Sequence, residues 1–208
     1  MAPAVQAPRP VRAEALWLMR HGQREDHVDL DWSKTAARPL DPALSLAGVE
    51  QARAAAHRLA GRGVARIFTS PYLRCAETAH LVAAVLAVPV HVEPGIGERH
   101  PPDWSAGLPD LLTLDELAER TGAFDRGHAA LHDPVYPETI DEAFARAAAT
   151  ARQIADRYHG TSLLVGHAVS VIGIVRGLTG DDVEVACPEA CLKRLERAGA
   201  SWRLVRTE

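Results

Sequence analysis

Apolar positions follow two rhythms along this chain. Short unbroken apolar runs that stop abruptly alternate with stretches where apolar residues recur every three or four positions. The first pattern suits strands covered on both faces, the second helices with one buried face. Residues 15–19, Ala-Leu-Trp-Leu-Met, predict the first strand. Ser45 can cap a helix running to about residue 60, with Leu46, Val49, Ala52, Ala56 and Leu59 on one face and Gly61 and Gly63 ending it. Residues 64–70 predict a second strand. Ser70-Pro71 then reads as an N-cap and an N1 proline opening a helix to about residue 86. Residues 88–93 predict a third strand. Thr113 with Glu116 and Thr139 with Glu142 have the spacing of capping boxes. The first opens a short helix ending at Gly122. The second opens a longer one with Ile140, Ala143, Phe144, Ala147, Ala151 and Ile154 facing inward. Residues 161–167 predict a fourth strand and 168–178 a helix, and the C-terminal run reads as a hairpin turning at Ala198-Gly199. Strands alternating with helices predict a three-layer α/β/α sandwich around a largely parallel central sheet.

A chain of 208 residues suits one domain whose core needs neither disulfides nor a metal. Residues 1–13, rich in proline and alanine, read as a loose tail, and 14–208 as one domain. Residues 22–43 read as loop. At about 94–137, where prolines and glycines cluster, we expect a loop and helix insertion. The net charge of -4 gives no reason to expect nucleic acid as a partner. No apolar run approaches the roughly 20 residues of a membrane span, and the start lacks the apolar segment of a signal peptide. A cytoplasmic protein is therefore expected. Cys75, Cys187 and Cys191 make a poor disulfide set and show no zinc spacing; Cys187 and Cys191 could pair, but free thiols are expected, with Cys75 packed along its helix. Lysine occurs only at Lys34 and Lys193 among the cations, so a single arginine carries little information by itself.

In such sheets ligands bind beyond the carboxyl ends of the strands. The first strand ends in Arg20-His21-Gly22, with Arg24 close behind. The second ends in Thr69-Ser70-Pro71, with Arg74 one turn further on. The third leads through Pro94-Gly95 to Glu98, and the fourth ends in Gly166-His167. This set suits phosphoryl transfer. Arginines offer paired donors to phosphoryl oxygens, a neutral imidazole can attack phosphorus, and a carboxylic acid can protonate the leaving oxygen. The glycines beside the two histidines would let substrate approach the backbone closely.

The segments LMRHGQRED, LSLAGVEQARAAAHRL, IFTSPYLRCAETA, VEPGIGE, PETIDEAFAR and LLVGHAVSVIGIVRGL, spread over residues 16–178, resemble the histidine phosphatase superfamily, with its phosphoglycerate-mutase-like fold. The resemblance implies His21 as the phosphorylated nucleophile and Arg20, Arg74 and His167 as phosphate ligands. It implies Glu98 as proton donor, with Glu93 as the rival, and Arg24 as a further phosphate ligand. Ser70 would support the pocket or only cap a helix. Glu138 would match a glutamate that begins a long helix, although Pro137 replaces the usual preceding glycine. RHGQRED and SPYLRCAETA resemble in particular the Sts-type phosphatases, a eukaryotic tyrosine-phosphatase group, and their bacterial relatives. The implied activity is hydrolysis of a small-molecule phosphate monoester through a phosphohistidine, with no metal or cofactor. A mutase acting on a small phosphorylated metabolite and a silent phosphate-binding protein are the alternatives. A nucleotide-binding Rossmann protein is disfavoured, because neither G-x-G-x-x-G nor a P-loop is present. Trp32, His100 and Trp104 could line a leaving-group site or merely cover the loop core, and the C-terminal hairpin offers an edge for a homodimer.

Overall fold

A computed structural model describes residues 13–180 and 182–205. The expected tail lies outside the described residues except for Ala13, which is buried and donates its N–H to the Ala155 carbonyl at 2.8 Å. The strands are β1 (Ala15–Arg20), β2 (Val64–Thr69), β3 (Val90–Val92), β4 (Thr161–Gly166), β5 (Leu192–Ala198) and β6 (Ser201–Val205). They form one sheet in the order β3-β2-β4-β1-β5-β6. β1, β2, β3 and β4 run parallel, and the β5–β6 hairpin is added antiparallel beside β1. The helices are α1 (Trp32–Thr35), α2 (Leu46–Leu59), α3 (Leu73–Leu86), α4 (Leu114–Thr121), α5 (Ile140–Arg157) and α6 (Ala168–Thr179).

Alternation along each strand divides the core in two. Trp17, Met19, Ile67, Leu163 and Val165 face α2, α3 and α4. Leu16, Leu18, Phe68, Leu164 and Leu195 face α5 and α6. A strand covered on both sides must be apolar throughout, which is why residues 15–19 show no polar position. The expected three-layer sandwich is therefore present.

Three local expectations are corrected. The loop 22–43 contains the short helix α1. Ser70 is not a helix cap, since α3 begins only at Leu73, with Tyr72 at its N-cap. Leu46 and Ile140 face outward, 89% and 43% exposed. Each opens its helix, and a side chain there leans back toward the helix N-terminus, past the sheet it was expected to cover.

Register places the strand ends side by side. Arg20 pairs with Gly166, and Thr69 with Val165. The His21 N–H donates to the Gly166 carbonyl at 2.9 Å, and the Ser70 N–H to that of Val165 at 3.0 Å. His21, Ser70 and His167 thus leave the sheet together.

Candidate active site

His21 is buried, with its ring centroid 5.4 Å from that of His167. Its Nδ1 lies 2.7 Å from the Gly22 carbonyl. A carbonyl only accepts, so Nδ1 carries the proton and Nε2 keeps its lone pair. Burial, followed by the charges of His167, Arg74 and Arg20, holds the imidazole pKa well below its usual value, against the opposing pull of the Gly22 bond. The ring is neutral at physiological pH.

His167 is anchored on both nitrogens. Nε2 lies 2.9 Å from the Ser70 hydroxyl, and Nδ1 lies 3.3 Å from Glu98 Oε2. Arg74 Nη2 approaches the same Nδ1 at 3.2 Å and Glu98 Oε2 at 3.8 Å. Burial lowers the His167 pKa to about 4, outweighing the upward pull of Glu98. Burial alone would raise the Glu98 carboxyl, but His167 and Arg74 beside it hold it well below the usual carboxylate range.

Arg74 is fully buried, yet its Nε and Nη1 have no hydrogen-bond partner. Tyr72 stacks under its guanidinium, 4.3 Å from the ring centroid. Asp41, also buried, lies 3.9 Å from Nη1 and accepts the Leu73 N–H at 2.8 Å. Sequence reasoning missed both residues. Asp41 sits in a proline-flanked loop with no periodic signal, and its approach to α3 exists only after folding.

Arg20 donates from Nη1 to the Cys187 carbonyl at 2.9 Å. Arg24 lines the cleft with Arg74 and Glu98, but Nε and Nη2 are each held by Asp26 at 2.9 Å. Glu93 stays out of the cleft. It is buried and accepts from the Gly95 and Leu131 backbones and from His128 Nε2, at 2.8, 2.9 and 2.8 Å. Glu138 does not reach the cleft either. It pairs through both oxygens with Arg146, at 2.7 and 2.6 Å, and Arg146 donates to the carbonyls of Gly95 and Glu98 at 2.9 and 3.3 Å. The buried Glu138–Arg146 pair therefore shapes the turn that presents Glu98. Arg146 was not singled out from the sequence, where it reads as a surface helix arginine.

The glycines have another role than expected. A Cβ on Gly22 would stand 2.5 Å from the Gly48 carbonyl oxygen, so the first turn of α2 packs there instead of substrate. One on Gly166 would meet Ser170 Oγ at 2.4 Å and the Ile96 carbonyl at 2.9 Å. Cys75 Sγ lies 3.5 Å from His167 Nε2, and burial pushes its thiol up to about 12, as suits packing rather than reaction.

The cleft of about 310 Å³ beyond Arg74 and Glu98 is walled by Pro39, Leu40, Pro42, Tyr72, Trp104 and Pro109, with Arg99 and His100 at its polar side. Trp32 does not line it. Its indole donates to the Pro39 carbonyl and borders a neighbouring cavity with Arg38 and Asp41.

Residues 16–208 match the histidine phosphatase superfamily (branch 1). The chain belongs to this superfamily. Human ubiquitin-associated and SH3 domain-containing protein A is 32% identical over 67% of the chain, which spans 23% of that protein. The probable phosphoglycerate mutase GpmB of Photorhabdus laumondii is 29% identical over 78% of the chain and 75% of its own length. The ecdysone phosphate phosphatase of Bombix mori, solved with tungstate, superposes with a TM-score of 0.76 at 22% identity, covering 93% of this chain and 92% of that one. The superfamily fold thus agrees with the sheet order and layers found here. Among the described residues, no helix is long and apolar enough to cross a membrane, and no group of three or more His, Cys, Asp or Glu could hold a metal.

Proposed function

We propose that this chain hydrolyses phosphate monoesters through a phosphohistidine at His21. The observation that carries the reading is Arg74. A buried guanidinium whose Nε and Nη1 have no hydrogen-bond partner is costly unless an anion completes it. It stands among a neutral imidazole, a second imidazole and a carboxylate, the set that phosphoryl transfer requires.

Arg20, Arg74 and His167 bind the phosphoryl oxygens, with Arg24 as an outer ligand. His21 Nε2 attacks phosphorus, its proton-bearing Nδ1 held by Gly22. The P–O ester bond breaks as the N–P bond forms, and Glu98 gives its proton to the leaving oxygen. The negative phosphoryl group set beside Glu98 raises its carboxyl and lets it carry that proton. The resulting carboxylate then takes a proton from water, which attacks the phosphohistidine, releasing phosphate and neutral His21.

The proline and aromatic walls suit a leaving group that is bulky and partly apolar. The structural likeness to the ecdysone phosphate phosphatase of Bombix mori agrees with that class. The likeness to a probable phosphoglycerate mutase supports a second reading, phosphoryl return to a small metabolite. Against it, two of the Arg24 donors are occupied by Asp26, which leaves less positive charge for a second anionic group. With p-nitrophenyl phosphate, His21→Ala should lower kcat/KM by about 10³-fold or more. Full activity in that variant would refute the nucleophile. A panel of aryl, steroid and glycerate phosphates, scored for free phosphate and for isomerised product, separates hydrolysis from mutase chemistry.

A further inference from the structure

The mechanism leaves unused a pair of thiols behind Arg20. Cys187 and Cys191 are both half-buried and unbridged, with sulfurs 3.3 Å apart. The turn that carries them is fastened to the catalytic strand end at three points. The Cys187 carbonyl accepts from Arg20 Nη1 at 2.9 Å, and the Cys191 carbonyl accepts the Arg20 N–H at 3.3 Å. Ala190, between them, donates its N–H to the His21 carbonyl at 3.0 Å. Ala190 has φ 53°, a left-handed conformation uncommon for a residue with a Cβ. Glu189 Oε1, in the same turn, is 3.0 Å from His27 Nδ1.

We propose that Cys187 and Cys191 form a redox modification site that takes a hydroperoxide as oxidant, and that closing them into a disulfide draws Arg20 away from the phosphate. The inference rests on the reading of Arg20 as a phosphate ligand. A disulfide requires sulfurs about 2.05 Å apart, so closure must draw the two sulfurs together by over an ångström, and the turn that carries them must adjust. Both Arg20 acceptors are main-chain atoms of the closing residues and move with it.

The chemistry suits the two thiols. The contact between the two sulfurs, with the nearby Arg20 and Lys193, brings the Cys191 thiol down to about 7 against the effect of burial. The Cys187 thiol is pushed well up, first by that contact and then by burial. Cys191 thiolate attacks a peroxide oxygen. The O–O bond breaks, giving a sulfenic acid and, after protonation, water or an alcohol. Cys187 then attacks the sulfenic sulfur, loses its proton, and the sulfenic oxygen leaves as water. Two electrons pass from the thiol pair to the peroxide.

The test treats the purified protein with hydrogen peroxide and then dithiothreitol. It follows the tryptic peptide 177–193 by mass, p-nitrophenyl phosphate turnover, and orthophosphate binding by calorimetry. The expected result is a peptide lighter by two hydrogens, with kcat/KM and phosphate affinity each down at least fivefold and both restored by the reductant. Cys187→Ser and Cys191→Ser, each compared with its own untreated sample, should not respond. No bridged peptide, a bridge without loss of turnover and binding, or equal loss in the serine variants overturns the proposal. If the untreated protein neither turns over ester nor binds phosphate, the phosphatase reading fails first and the gate falls with it, while the peptide mass still reports whether the thiols close.

Discussion

Arg74 is buried at 1% exposure, and its neighbours decide what it can do. Asp41, Glu98 and Tyr72 hold the guanidinium, while Nε and Nη1 keep their capacity to donate. Lysine would supply the charge without the planar fork. One or two lost charge-assisted bonds are worth about 1.5–3 kcal/mol each. Arg74→Lys should therefore cut kcat/KM about 10- to 100-fold or more in a steady-state assay. His21 sets the pH response. Its pKa lies well below the usual value, so its neutral, nucleophilic form persists as pH falls through about 6.5. After correction for the substrate's own ionisation near pH 6, the acid limb of kcat/KM should lie below the ordinary histidine range. An acid limb at or above that range would contradict the buried, neutral imidazole.

At the scale of elements, the turn after β3 is held by a helix some forty residues on. Thr139 and Glu142 close the capping box that starts α5, and Glu138, just before the cap, meets Arg146 on its second turn. Removing one member leaves the other charge buried and unpaired, which costs about 3–5 kcal/mol. Glu138→Gln should lower Tm in thermal denaturation. Because Arg146 positions the turn bearing Glu98, kcat should fall more than KM changes. Equal kinetics with a lowered Tm would confine the pair to stability. The same scale explains the misread glycines. Their place beside the histidines suggested room for substrate, whereas the space is taken by Gly48 at the start of α2 and by Ser170 on α6.

For the whole molecule, the site joins ends of β1, β2 and β4 with the turn after β3, so an anion bound there ties the parallel half of the sheet together. Orthophosphate at 100 times its Kd should stabilise the fold by about 2.7 kcal/mol. For a chain of this size, that raises Tm by about 5–10 °C. Scanning fluorimetry can read the shift, which should vanish in His167→Ala.

What residue order determined by itself was the local part. The apolar runs, the spacing of capping residues and the punctuating glycines depend on neighbours within a few positions, so β1, β2, β4, α2, α4, α5 and α6 were legible. The strand-end rule brought Arg20, His21, Arg74, Glu98 and His167 forward as candidates, and the family resemblance supplied roles for them. Only the tertiary structure decided which polar groups meet. Asp41 and Tyr72 at Arg74, Arg146 behind Glu98, Glu93 turned to backbone and His128, and the two thiols behind Arg20 are contacts between segments far apart in sequence or across a turn. Periodicity records which face of an element is buried. It does not record which partner the fold sets opposite a lone charge, and that partner determines whether a carboxylate clasps a loop or faces a phosphate.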